Sequence, residues 1–226
     1  MPAVPPNPGA AALAAAPRVV LGTASSGRRA VFDRLASAHA FSFAIVAADI
    51  DEKAVRRDDP ADLVRALAAA KAAALVARLP EGPGLLVTAD QVVTWKGAVR
   101  EKPVDAAQAA SFLADYCRGP APATLSALAV TDLASRRCAA GVAVARVTIA
   151  PPLTEAEVAA AAAHPDVLGC AGGLMIERPQ LEGRVTIGPG DEDSVRGLPV
   201  DLLWELAATV AGGGGEVLTG GPGDKE

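Results

Sequence analysis

Asp90 closes an apolar, β-branched run, Leu85-Leu86-Val87-Thr88-Ala89, with Gln91 beside it, and Glu101-Lys102-Pro103 follows the turn at Lys96-Gly97. An Asp at a strand end is commonly a cap or turn residue, so its company decides what it does. Upstream, the strand Val19-Val20-Leu21 feeds Gly22-Thr23-Ala24-Ser25-Ser26-Gly27-Arg28-Arg29 into a helix. A small, hydroxyl-rich loop at a helix N-terminus is an anion site, because loop N–H groups and the positive end of the helix dipole point the same way. Cations in a first helical turn are unfavourable unless an anion compensates, so Arg28 and Arg29 favour phosphate binding over a plain N-cap. The run Asp49-Ile50-Asp51-Glu52-Lys53 reads either as a solvated turn or as hard oxygen ligands for Mg²⁺ in a protein that handles a metal–triphosphate. Hydroxyls, arginine, lysines and a divalent metal are what phosphoryl transfer asks of a protein, since it needs mainly positioning and charge neutralisation.

These residues need a framework of alternating strands and helices. Leu85–Thr88 and Val92–Trp95 read as two extended pieces, and Phe41–Ala47 as another strand. Asp59-Pro60 opens a helix to about Leu79, with Lys71 read as a surface lysine on it. Asp105–Tyr116 is a further helix. Leu125–Thr131 and Gly141–Ile149 read as paired strands, turned over at Ser135-Arg136-Arg137. Thr154 caps a helix with Glu157 as its capping-box partner, and Asp201–Val210 is the last helix. Strand–helix alternation makes this an α/β chain.

With 226 residues the chain is long enough for one large domain with an ample core. The first 17 residues, rich in Pro and Ala without a charged side chain, read as a disordered leader, and residues 211–226 as a flexible Gly-rich tail. A net charge of −5 without a dense Lys/Arg block disfavours nucleic acid as a partner, and no apolar run approaches the length of a membrane span. Cys117, Cys138 and Cys170 form no C-x-x-C pair and read as free thiols in a reducing, cytoplasmic setting. His39 and His164 offer no metal-ligand spacing. Gly169-Cys170-Ala171-Gly172-Gly173, ending at Glu177, is a second loop of small residues that lets backbone approach a ligand closely.

Together these motifs resemble the Maf family of nucleoside triphosphate pyrophosphatases over Arg18–Val210. The family's S-x-S-P-R-R loop is matched by Thr23-Ala24-Ser25-Ser26-Gly27-Arg28, with Gly27 where the first arginine usually stands. Its D-E-K element is Asp51-Glu52-Lys53, its A-D-[TQ]-V-V strand is Ala89–Val93, and its K-P is Lys102-Pro103. Its late A-G is Ala171-Gly172 and its G-L-P is Gly197-Leu198-Pro199. The resemblance implies a two-lobed fold in residues 18–210, with a long twisted mixed sheet bent around a cleft. It also implies metal-dependent (Mg²⁺ or Mn²⁺) hydrolysis between the α and β phosphates of a nucleoside triphosphate. In that scheme Asp90 is general base and, with Glu52, metal ligand; Lys53 and Lys102 clamp phosphate; and Thr23, Ser25, Arg28 and Arg29 hold the triphosphate. Gln91, Cys170-Ala171-Gly172 and Glu177 resemble the 7-methyl-GTP branch, in which Gln91 and Glu177 contact substrate. A carboxylate at 177 suits the N–H donors of guanine. A dTTP/UTP-type enzyme of the same fold and a non-catalytic nucleotide-binding protein are the alternatives, and a homodimer is compatible with either.

Overall fold

A computed structural model describes residues 7–218 of the chain. In order, the elements are α1 (Pro8–Ala15), β1 (Val19–Gly22), α2 (Ser26–His39), β2 (Ala44–Ile45), α3 (Pro60–Arg78), β3 (Leu85–Trp95), β4 (Ala98–Arg100), α4 (Ala106–Arg118), β5 (Ala123–Asp132), β6 (Arg137–Ile149), α5 (Glu155–Ala162), β7 (Val185–Ile187), α6 (Glu192–Val195), α7 (Val200–Ala211) and β8 (Glu216–Val217). Their boundaries follow local chemistry. Ser25, Asp59, Asp105 and Thr154 each accept a backbone N–H as N-caps, and Thr154 completes the capping box with Glu157.

The strands form one mixed sheet in the order β2-β1-β3-β5-β6-β7, with β4 added to β3 and β8 to β6. β1 runs parallel to β2 and β3; the other pairings are antiparallel. β3 is its axis. One edge pairs with β5 continuously from Leu85 to Thr94. The other is shared between β1, which takes Leu85–Thr88, and β4, which takes Val93–Trp95. The two extended pieces read from the sequence are therefore one strand, because the β5 ladder carries it straight through. Asp90 lies in its middle, not at its end. On the shared edge Ala89–Val92 have no strand partner, and that gap opens the site.

Side chains alternate across a strand, so β3 serves different cores on its two faces. Val87 and Ala89 join a cluster with Leu21, Phe32 and Leu203, while Val93 joins another with Leu113, Val147 and Val158. Gln91 sits between them. On the opposite face Leu86 and Val92 pack in two further clusters, with Thr88 and Asp90 between. Polar residues thus occupy the seam between apolar clusters.

Both chain ends differ from the sequence reading. Within the first 17 residues, Pro8–Ala15 is a helix, not a disordered leader. Asn7 caps it through Gly9 N at 2.9 Å, Pro8 starts it, and Leu13 is fully buried. Gly9 permits its docking on α7, since a Cβ there would lie 2.1 Å from the Trp204 carbonyl oxygen. Composition misled because a Pro/Ala segment has no polar face to reveal its amphipathicity, whereas the Asn7-Pro8 start signal was present. In the tail, Glu216-Val217 pairs with Arg137-Cys138 as β8. Residues 1–6 and 219–226 of these two segments lie outside the described residues.

Candidate active site

On one face of β3, Asp90 is buried against α3. Lys71 Nζ donates to Asp90 Oδ1 at 2.5 Å and stands 2.7 Å from Glu52 Oε1. Lys71 is only 8% exposed, so it is not a surface lysine. Its position on α3 explains why: Val64, Leu67, Ala68 and Leu75 are the buried helix residues around it, and Lys71 follows Leu67 by one helical turn on that stripe. The same helix fixes β3 again where Thr88 Oγ1 donates to the Ala68 carbonyl at 2.9 Å. Burial would raise the carboxyl of Glu52. The hydrogen bond and charge of Lys71, with Lys102 and Arg28 adding to them, outweigh that and hold it below its ordinary range.

Arg28 leaves the first turn of α2 and crosses the open edge of β3. Its Nη1 donates to the Ala89 carbonyl at 3.1 Å and its Nε to the Gly197 carbonyl at 3.0 Å. Burial pulls this guanidinium down, while the charges of Asp90 and Glu52 push it back up. Both carboxylates therefore compensate the arginine that the sequence reading assigned to an anion. Gly197 has a φ of +88°, and a Cβ there would lie 3.0 Å from Arg28 Nε, so the G-L-P turn needs glycine to receive this side chain. Thr23 is buried, its Oγ1 accepting from Ser25 N at 3.1 Å, and Ser25 Oγ accepts from Arg28 N at 3.4 Å. Both oxygens hold the loop, and each hydroxyl keeps its O–H to donate. Arg29 is on the exposed side of α2, paired with Asp33 at 3.5 Å.

Lys102 enters from the other end of the gap, after β4. Its charge acts on both Glu52 and Cys170, the latter in the second small-residue loop. That loop positions it. Gly172 N donates to the Glu101 carbonyl at 3.0 Å, and Tyr116 Oη donates to the Gly172 carbonyl at 2.9 Å. Gly172 has a φ of +59°, and a Cβ would meet Val93 Cβ at 2.6 Å. The glycines thus serve close packing on β3. Cys170 is pushed up to about 11 by burial and by Glu177 and Asp166, which keeps it a thiol at neutral pH. Lys53 is exposed, its backbone N–H bound to Asp51 Oδ1 at 3.0 Å.

Gln91 follows Asp90 in the chain but faces the other side of the sheet. Its Nε2 approaches Ser126 Oγ at 2.9 Å and the carbonyls of Ser194 and Val195 at 3.1 and 2.9 Å, tying α6 to β3. Glu177 stands in an ion pair with Arg196, with Nε 2.8 Å from Oε1.

Asp90 and Glu52 each aim one oxygen at a single cation, the Lys71 ammonium. Among the described residues no group of three His, Cys, Asp or Glu side chains could hold a metal. Mg²⁺ or Mn²⁺ needs only one or two carboxylates when substrate phosphates and waters supply the rest, so this donor set fits a metal that arrives with a triphosphate.

Residues 18–210 match the family model described as Maf-like protein. The chain belongs to the Maf family. Among Maf relatives, the 7-methyl-GTP pyrophosphatase of Dictyostelium discoideum is 29% identical, covering 85% of this chain and 97% of its own. The 7-methyl-GTP pyrophosphatase of Chromohalobacter salexigens is 33% identical over 84% and 94%. The nucleoside triphosphate pyrophosphatase of Synechococcus elongatus is 32% identical over 84% and 92%. On the Maf framework the structure brings together Asp90, Glu52, Arg28, Lys102 and the Thr23–Ser25 loop. It adds Lys71, sets Arg29 on another surface, and turns Gln91 to the opposite face of β3 from Asp90, beside the Gly197 turn that receives Arg28.

Proposed function

We propose that this chain is a nucleoside triphosphate pyrophosphatase, in which water attacks the α-phosphorus and the bond to the β-phosphate oxygen breaks, giving nucleoside monophosphate and pyrophosphate. Its Maf membership and the names of its relatives support the activity. The single structural observation that carries it is the buried Lys71 ammonium bridging Asp90 and Glu52 at the open edge of β3. With Lys71 holding Oδ1, Asp90 takes the proton of the attacking water on its other oxygen. Arg28 and Lys102, from the two ends of the gap, neutralise phosphate oxygens, and the hydroxyls of Thr23 and Ser25 donate to them. Lys53 acts further out, on the leaving phosphates, while Arg29 takes no part. Asp90 and Glu52 would hold the divalent cation, which when bound supplies charge neutralisation on the triphosphate. Glu177 accepts the N–H donors of a guanine-type base, 7-methyl-GTP included, and Gln91 supports that wall from the opposite face of β3. Among the described residues no helix is long and apolar enough to cross a membrane, and the three cysteines are free, which supports a cytoplasmic house-cleaning enzyme.

Pyrophosphate release from 7-methyl-GTP, GTP, dTTP, UTP and CTP with Mg²⁺ or Mn²⁺ tests this reading, with Asp90→Asn as control. Release that disappears in Asp90→Asn supports it. Binding of every nucleotide without release would instead assign a non-catalytic nucleotide-binding protein, and a pyrimidine preference would remove the role given to Glu177.

A further inference from the structure

Arg196 lies between α6 and the Gly197 turn, and its backbone is held on both sides. The Val195 and Ser194 carbonyls accept from Gln91 at 2.9 and 3.1 Å, and the Gly197 carbonyl accepts from Arg28 at 3.0 Å. A Cβ at Gly27 would touch the Arg196 carbonyl oxygen at 3.4 Å, so α2 closes on the same point. From this anchored backbone the side chain reaches out to a different segment. Its Nε lies 2.8 Å from Glu177 Oε1, while Nη2 lies 2.5 Å from Glu192 Oε1. Glu177 is on a turn outside any strand or α-helix. Among the described residues the Glu177 carboxylate is held by charge alone: Arg196 Nε stands 2.8 Å from it as an ion pair but makes no well-aligned hydrogen bond.

We propose that Arg196 is a positioning residue for base selection, whose ion pair holds the Glu177 carboxylate in place for the N–H donors of the base. The inference rests on Glu177 as the base-reading group. The ion pair has a second consequence. Arg196 is shared with Glu192, so the trio keeps a net negative charge, and the guanidinium weakens the pull of Glu177 on a positively charged ring without cancelling it. Without Arg196 an uncompensated carboxylate would favour a cationic ring, such as 7-methylguanine, over neutral guanine. Arg196 thus sets how sharply the site separates the methylated from the unmethylated purine.

The test compares wild type, Arg196→Met, Arg196→Lys and Glu177→Gln. KM and kcat are measured for GTP, 7-methyl-GTP and UTP, and calorimetric affinities for the corresponding monophosphates, which need no turnover. In Arg196→Met the KM for GTP is expected to rise about tenfold, the loss of an oriented hydrogen bond to a charged group. It should rise less for 7-methyl-GTP and stay unchanged for UTP, with kcat for each within about twofold of wild type. Arg196→Lys, which keeps the charge, should recover part of the GTP affinity. Equal losses for all three nucleotides, or no change in any, would overturn the role of Arg196. If Glu177→Gln leaves base selectivity unaltered, the base-reading role of Glu177 itself fails. If Glu177→Gln alters selectivity and Arg196→Met does not, only the positioning role of Arg196 fails.

Discussion

Lys71 donates to Asp90 at 2.5 Å across the buried interface between α3 and β3, and both side chains are about nine-tenths buried. A buried ion pair is weak evidence for stability, because desolvation offsets much of the attraction, yet removing one partner strands a charge in a dry site. This contact joins the fold to the site, since the groups that hold α3 on the sheet are also those proposed to act on the substrate phosphates.

Lys71→Met should therefore cost about 3–5 kcal/mol of stability and reduce pyrophosphate release by about 10²-fold or more. Thermal denaturation and a turnover assay read the two losses separately. A variant as stable as wild type would show that Lys71 does not compensate Asp90 in the folded protein.

Acid should weaken the fold through Glu52. Its carboxyl is held below the ordinary 4.5 in the folded state, chiefly by Lys71 against the opposing effect of burial. The unfolded chain then binds the proton more readily. The contribution of Glu52 is present above the unfolded value and is lost as pH falls through the folded one. Urea midpoints measured from about pH 6 to about pH 3 should fall more steeply for wild type than for Glu52→Gln. Parallel curves would refute the linkage.

Tyr116 should report from the alkaline side. Burial raises its phenol from 10.0 to about 12, while its hydroxyl holds the Gly172 carbonyl at 2.9 Å. A raised folded value means that the stabilisation is complete below the unfolded pKa and lost as pH climbs through the folded one. Tyr116→Phe should lose about 1 kcal/mol near neutrality, and its deficit against wild type should narrow as pH passes from 10.0 to about 12. Through the bond from Gly172 N to the Glu101 carbonyl, the same variant should raise KM by loosening the approach of Lys102. An unchanged KM would separate the Tyr116 contact from the site.

Gly9→Ala tests the docking of α1. The new Cβ would lie 2.1 Å from the Trp204 carbonyl oxygen, so α1 must shift or detach from α7, lowering the melting temperature. The contact is with Trp204 and with none of the site residues, and kcat should stay at the wild-type value. A drop in kcat at full occupancy of the folded state would show that α1 acts on the site as well.

The α/β class, the loop leading into the Ser25 cap of α2, the strand bearing Asp90 and the capped helices were legible in the sequence. Each depends on neighbours within a few residues: β-branched runs, Ser25 and Thr154 caps, the Asp59-Pro60 start. The partner of Asp90 was within reach too, since Lys71 follows Leu67 on the buried stripe of α3. It was read as a surface group because a lysine is rarely buried unless paired, and its pair is made across the α3–β3 packing. Only tertiary structure decided that Asp90 sits in the middle of a continuous strand, where β1 and β4 share one edge and leave a gap between them. Only tertiary structure turned Gln91 to the opposite face, carried Arg28 across that gap to the Gly197 carbonyl, and set Arg196 against Glu177. Those contacts join residues far apart in the chain, and no local periodicity encodes a distance that exists only once the sheet is assembled and the loops have closed over it.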